Sequence, residues 1–499
     1  MDTATQFKKR VVGLITWFAL LILTLGMTAY FWADERIEQE RKDKQDASLK
    51  AERERLQALE AQLMALQKSV GINAKLRTVL QQRIEDAKGQ TLSGDDEKLL
   101  ASIRELLAEP VGGDEQNAKL RAALGEAIAA AELREFRAAN AEIEREVEAA
   151  RGLKFITPVQ YRTMKVAEFP EFVRKELRAQ YTEREFHDYG RSLSFLGLLP
   201  DGYDIEKGML TVMGEQVGAF FDPKTKHLVT FSDKAMSTGL DRMVMAHELT
   251  HALDDQHFTI PIAELERKDN DDRVRAWQAL IEGNATMLMG QVYLQHAARV
   301  GVAASLKDIG AMFFKQDTKQ FNEAPPFLQQ SLIFPYMQGQ QFVLELMMRG
   351  DGSLRVVDDA YRRPPASTEQ VLHPEKYFAK EEPKEIQLPD LAKEKGWKLL
   401  SNNVVGEMGM QILVGPKAAA GWNGDRYAVW EIAPEKLGMI WVTYWGNADD
   451  AKEFEEGVLV WSKKYKRNVK LQRNDLLGTV NVLAASDDET LNLLNQINY

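Results

Sequence analysis

Cysteine is absent from the 499 residues, which excludes disulfide scaffolding, thiol nucleophiles and cysteine-based zinc ribbons while leaving the redox compartment open. Histidine is nearly as scarce, with seven in the chain, so any clustering of them carries information. Excess positive charge is missing too. A net charge of −11 leaves no basic domain to neutralise phosphates, and a nucleic-acid partner is not expected. What remains is length enough for two or three domains and, at 44% apolar residues, ample material for a core.

Three of the seven histidines fall in one stretch, HELTHALDDQHF, from His247 to Phe258. Its first five letters fit H-E-x-x-H, which on a helix places His247 and His251 one turn apart on the same face, where two imidazoles can share one zinc ion. Glu248 sits at the edge of that face, within reach of a metal-bound water, as the general base of a hydrolase requires. Met243, Ala246, Leu249 and Leu253 supply helix-compatible apolar positions, and neither Pro nor Gly interrupts the turn.

Two residues compete for the third ligand. His257 has the spacing of the metzincin signature, but where that signature has a Gly to bend the chain this one has Asp254. If the helix continues, six residues rotate His257 to roughly 120° from His251, off the zinc face. The favoured candidate is Glu282 in AWQALIEGNATMLMGQVYL, a second helical pattern with apolar residues at Ala276, Leu280, Ala285, Leu288 and Met289. A carboxylate inside such a run needs a partner, and a zinc ion held by two neutral imidazoles offsets its desolvation. Gly283 beside it allows a neighbouring helix to approach closely.

His247, Glu248, His251 and Glu282 together resemble the two-His, one-Glu gluzincin arrangement of zinc peptidases, which leaves the fourth coordination position to water. More of the chain is similar to a group of bacterial, mostly uncharacterised H-E-x-x-H proteins. The matching pieces are QVGAFFDPKTKHLVTF, AHELTHALDDQHF, ALIEGNATML, FPYMQGQQFV, RRPPASTEQVLHPEKY and AAAGWNGDRY, spanning about residues 190 to 430. The first three bear on the metal site; the last three mark the group without revealing a reaction.

The hairpin pattern GAFFDPKTKHLVTF precedes the metal helix, with two short strands expected around Pro223 and Lys224. In zincin-like peptidases the sheet edge beside the zinc receives the substrate backbone as an added strand, so residues 218–221 or 227–230 are candidates for that edge. Attack of water on an amide also needs a donor for the developing oxyanion. His373 is the first candidate for that role, with Tyr336 and Tyr377 behind it.

At the N-terminus, residues 11–33 run 23 positions without a charge, enough to cross a hydrocarbon core of about 30 Å. Lys8, Lys9 and Arg10 precede the run, so the positive-inside rule keeps residues 1–10 in the cytoplasm and sends the bulk of the chain to the outer, periplasmic side of a bacterial cytoplasmic membrane. Residues 34–151 are charged and alanine-rich, with Leu49, Leu56, Leu63 and Val70 at heptad spacing, a helical or coiled-coil stalk through which a homo-oligomer could form. The expected fold is therefore α+β: a transmembrane signal anchor at 11–33, the stalk, a zincin-like metallohydrolase domain over 152–392 and a small C-terminal α+β domain over 393–499. The expected function is a membrane-anchored zinc metallopeptidase acting on a peptide or protein substrate. The alternative is a tethered coiled-coil scaffold whose zinc site is structural or vestigial.

Overall fold

The computed structural model describes residues 140–213, 218–231, 239–300, 319–350 and 352–497. The elements that carry the site belong to one compact unit, Ile143–Gln295 with Asp308–Tyr499. The anchor expected over 11–33, and all of the stalk before residue 140, lie outside the described residues.

The described architecture corrects the expected fold class. It is a mixed helix-and-sheet arrangement, and among the described residues no helix is long and apolar enough to cross a membrane. The physical reason is plain in the longest one, Asp271–Val300, which carries Asp271, Asp272, Arg273, Arg275 and Glu282 within its first twelve positions. Helical residues 140–151 (α1) lead into strand β1, Gln160–Met164. Two helices follow, α2 (Phe169–Gln180) and α3 (Glu183–Leu196). They are separated because Thr182 and Glu185 form a reciprocal capping box that starts α3 afresh. Gly197, at φ 85°, ends it in the left-handed conformation that a Cβ would disfavour.

After α4 (Ile205–Met213) come the hairpin strands β2 (Ala219–Asp222) and β3 (His227–Phe231). The sheet order is β1-β3-β2, with β1 parallel and β2 antiparallel to β3. β2 is thus an edge strand and β3 the centre. Phe169 packs against Phe220 and Phe231 at centroid distances of 5.6 and 5.7 Å, tying α2 to this sheet.

Helix α5 (Gly239–Phe258) holds the H-E-x-x-H residues and is enclosed on nearly every side. Ala246, Leu249, Ala252 and Leu253 are at most 2% exposed, which is why the segment lacks a one-sided apolar stripe. It lies beside α6 (Asp271–Val300), and α6 in turn meets α7 (Pro326–Arg349). Gly283 of α6 and Gly339 of α7 are in backbone contact: a Cβ on Gly283 would fall 2.1 Å from the Gly339 carbonyl carbon.

Helices α8 (Arg355–Arg362), α9 (Thr368–Leu372) and α10 (Pro374–Ala379) precede the C-terminal sheet. That sheet comprises β4 (Lys398–Asn403), β5 (Trp422–Ala433), β6 (Lys436–Trp445), β7 (Asn468–Asn474) and β8 (Thr479–Ala485), in the order β4-β5-β6-β8-β7 and antiparallel throughout. Trp441, Trp445, Phe454 and Trp461 form one aromatic core against it. Leu391, Trp430, Ile440, Leu483 and Leu494 form a second.

The C-terminal sheet is pinned to the helices by buried carboxylates. Asp425 accepts from the Val405 and Gly406 amides and from the Trp422 and Trp441 indoles. The same loop abuts Asp272 near the start of α6, and Gly406, at φ 71°, leaves no room for a side chain there. Asp272 accepts from the Thr368 amide and hydroxyl. The helix that bears Glu282 is therefore fixed at its base, ten residues from the site.

Candidate metal centre

One helix turn brings the imidazoles of His247 and His251 together, with ring centroids 4.7 Å apart and planes at 86°. Glu282 reaches them from α6. Its Oε2 lies 3.0 Å from His247 Nε2 and 3.4 Å from His251 Nε2. Both histidines are 8% exposed. Ligand atoms at about 2.0–2.1 Å from a tetrahedral zinc ion stand about 3.3 Å apart, so the two N···O separations, 3.0 and 3.4 Å, fit a zinc ion. The Glu248 carboxylate belongs to the same cluster: with the two imidazoles it offers donor atoms all within 4.8 Å of one another.

The two glutamates have different surroundings. Glu248 Oε2 accepts the Phe221 amide proton at 2.7 Å, which fixes one of its oxygens against edge strand β2. Burial raises the pKa of Glu248, partly opposed by the two histidines. Burial also acts to raise Glu282, but the adjacent His251 and His247 outweigh it and hold this carboxyl well below its ordinary range. His251 responds in the opposite sense. Burial disfavours its charged form, yet the charge and hydrogen bond of Glu282 raise it to about 9. Without a cation the cluster thus retains a proton between carboxylate and imidazole, where a metal's positive charge would serve the same electrostatic purpose.

Tyr336, from α7, also reaches this group. Its ring stacks on His247 at 6.0 Å and 26°. The charge of Glu282, with which it is hydrogen-bonded, raises the phenol well above its ordinary value. The other two oxyanion candidates are engaged elsewhere. His373 Nε2 pairs with Glu407 at 2.9 Å, while the Tyr377 hydroxyl donates to the Arg363 carbonyl at 2.8 Å and its ring packs edge-on against Phe342. His257 Nε2 lies 2.8 Å from the Lys154 carbonyl, in keeping with a helix that runs straight past Asp254. Arg426, within strand β5, donates to Asn402 at 2.8 Å.

A buried assembly that sequence reasoning passed over lies one turn beyond His251, on the same side of α5. Asp254, 1% exposed, accepts from Arg151 Nε at 2.7 Å, Asn284 Nδ2 at 2.6 Å and the Tyr361 hydroxyl at 2.9 Å. Arg151 also pairs with Asp358 at 2.7 Å. Phe258 stacks on Tyr361 at 4.9 Å, and the Arg151 guanidinium lies 5.5 Å from its ring centre. The available signal was the one that picked out Glu282: an acidic residue inside an apolar helical pattern.

Residues 398–492, the C-terminal sheet and its helices, match a family described as a domain of unknown function (DUF8575). No curated protein and no solved structure matches the chain.

Proposed function

We propose that this protein is a zinc-dependent hydrolase that cleaves peptide bonds. The observation that carries the proposal is the approach of Glu282 Oε2 to 3.0 and 3.4 Å from the Nε2 atoms of His247 and His251, with the Glu248 carboxylate held beside an edge strand. His247, His251 and Glu282 would hold the ion, three protein ligands rather than the four that usually close a structural site. When bound, zinc supplies Lewis acidity, polarising a carbonyl and making a water a stronger acid.

The remaining work falls to side chains of the chain. One oxygen of Glu248 is held by the Phe221 amide, which leaves the other to take the proton of the attacking water and pass it to the departing nitrogen. Its burial, which raises the pKa of the carboxyl, favours the form that carries the proton between the two steps. Tyr336, stacked on His247, keeps a protonated phenol that is hydrogen-bonded to Glu282; with Glu282 engaged by the ion, that O–H would turn to the developing oxyanion as its donor. Of the two strands proposed for the substrate edge, β3 is internal and β2, among the described residues, has no strand on its outer side. An extended peptide would therefore add along Ala219–Asp222.

The test is Glu248→Gln, which preserves size while removing the base. The variant should retain zinc and fold but lose turnover on a mixed peptide library by about 10² to 10⁴-fold. Equal turnover by wild type and Glu248→Gln, each carrying one zinc, would overturn the peptidase reading.

A further inference from the structure

We infer that Asn284 and Asp254 form a positioning pair that locks the roll of α6 and so sets where Glu282 stands; this rests on the metal reading above. Successive helical residues are rotated by about 100°, so Glu282 and Asn284 are about 200° apart around α6, with Gly283 between them. Gly283 faces the backbone of Gly339 on α7. Glu282 and Asn284 both reach α5, from either flank of the contact: Glu282 to His247 and His251, Asn284 to Asp254. Two attachments on opposite flanks resist rotation about the helix axis, whereas one alone permits it.

The Asp254 end is itself immobile. Its carboxylate is fixed by Arg151 from α1 and Tyr361 from α8 in addition to Asn284, and all three residues of the Asp254–Asn284–Arg151 chain are at most 1% exposed. Asp254 lies one turn beyond His251, so the reference point to which Asn284 is tied moves with the histidines. Losing that tie would leave Glu282 to find its position against the imidazoles and the Tyr336 hydroxyl, without a fixed roll of its own helix. No part of Asn284 need touch the metal, substrate or reacting atoms for this effect.

A double-mutant cycle on the full chain tests it, with zinc affinity read by chelator competition and folding by circular dichroism and thermal melting of the metal-free protein. Asn284→Ala should weaken zinc binding about tenfold in the wild-type background. In a Glu282→Gln background, where the positioned ligand is already compromised, adding Asn284→Ala should weaken it no further. The swap Asp254→Asn with Asn284→Asp keeps an amide–carboxylate bond of reversed direction and should recover most of the affinity, which also covers the case in which Asn284→Ala does not fold. Equal losses from Asn284→Ala in both backgrounds, or a swap that binds no better than Asn284→Asp alone, would overturn the positioning role. Zinc retained in full by a His247→Ala, His251→Ala protein would instead overturn the metal assignment, a result distinguishable from either.

Discussion

Gly283→Ala should separate two helices and weaken the metal site while adding a single methyl group. The added Cβ would lie 2.1 Å from the Gly339 carbonyl carbon, 2.3 Å from its oxygen and 2.7 Å from the Gln340 nitrogen. All three are backbone atoms, so no rotamer change relieves the contact. Reaching an ordinary separation of 3.4 Å from 2.1 Å requires α6 and α7 to part by about 1.3 Å, or to roll. Two effects then oppose each other. Replacing Gly by Ala inside a helix gains about 1 kcal/mol of intrinsic propensity, whereas overpacking commonly costs about 1–3 kcal/mol. Because the clash is backbone to backbone, the cost should lie at the upper end and the net change should be a destabilisation of about 1–2 kcal/mol. Gly290 is an internal control on the same helix, where a Cβ would meet nothing within 4 Å. Gly290→Ala should be stabilising by up to about 1 kcal/mol. Thermal melting of the two variants in parallel should thus give shifts of opposite sign, each of a few degrees or less. Zinc affinity should fall only in Gly283→Ala, because Glu282 adjoins the contact and Tyr336 lies three residues before Gly339. A Gly283→Ala protein that melts above wild type and binds zinc unchanged would refute the close crossing and its role in placing Glu282.

Burial raises Asp272 to about 7, so its folded form holds a proton that the unfolded chain releases near pH 4; the resulting stability is present below that value and is lost as pH rises through 7. Each tenfold difference in proton affinity between the folded and unfolded chain is worth about 1.4 kcal/mol, so the effect is on the order of a few kcal/mol. Asp272→Asn should flatten the fall in melting temperature between pH 5 and 8, leaving the parallel contribution of Glu369, also raised by burial to about 7; parallel falls in variant and wild type would contradict this. His257→Ala should leave zinc affinity unchanged, because its Nε2 is committed to the Lys154 carbonyl; loss of metal from this variant would restore the metzincin spacing as the operative one.

The metal-facing residues were legible because their logic is local. An i, i+4 pair of histidines shares a helix face whatever the rest of the fold does, and an acidic side chain in an apolar run demands compensation. Which of Tyr336, Tyr377 and His373 stands beside the histidines was not legible, because that depends on contacts between distant segments. Glu407, which occupies His373, is 34 residues away, and nothing in STEQVLHPEKY foretells it. The edge strand was half legible: the hairpin pattern specified two strands, but which lies outside depends on β1, which arrives from far upstream to pair with β3. The expected fold class had to be corrected because elements were grouped by composition along the chain. Buried carboxylates instead tie the C-terminal sheet to the base of α6 through Asp272, Thr368 and Gly406.

The criterion that found Glu282 applies equally to Asp254 and Asp272, and it does not say what kind of partner each acquires. A cation, an amide and a hydroxyl all offset the cost of burying a carboxylate. Convergence separates the cases. Glu282 meets two imidazole nitrogens from consecutive turns of one helix, a geometry that two histidines would have no reason to share around a purely structural acid. Asp254 meets a guanidinium, an amide and a phenol drawn from three different helices, which is how a side chain ties a fold together. Asp272 accepts from Thr368, through both its amide and its hydroxyl, and packs against Gly406. The three acids therefore divide the work. On the proposed reading Glu282 binds the ion and Asp254 holds the two helices in register, while Asp272 anchors the base of the helix on which Glu282 stands.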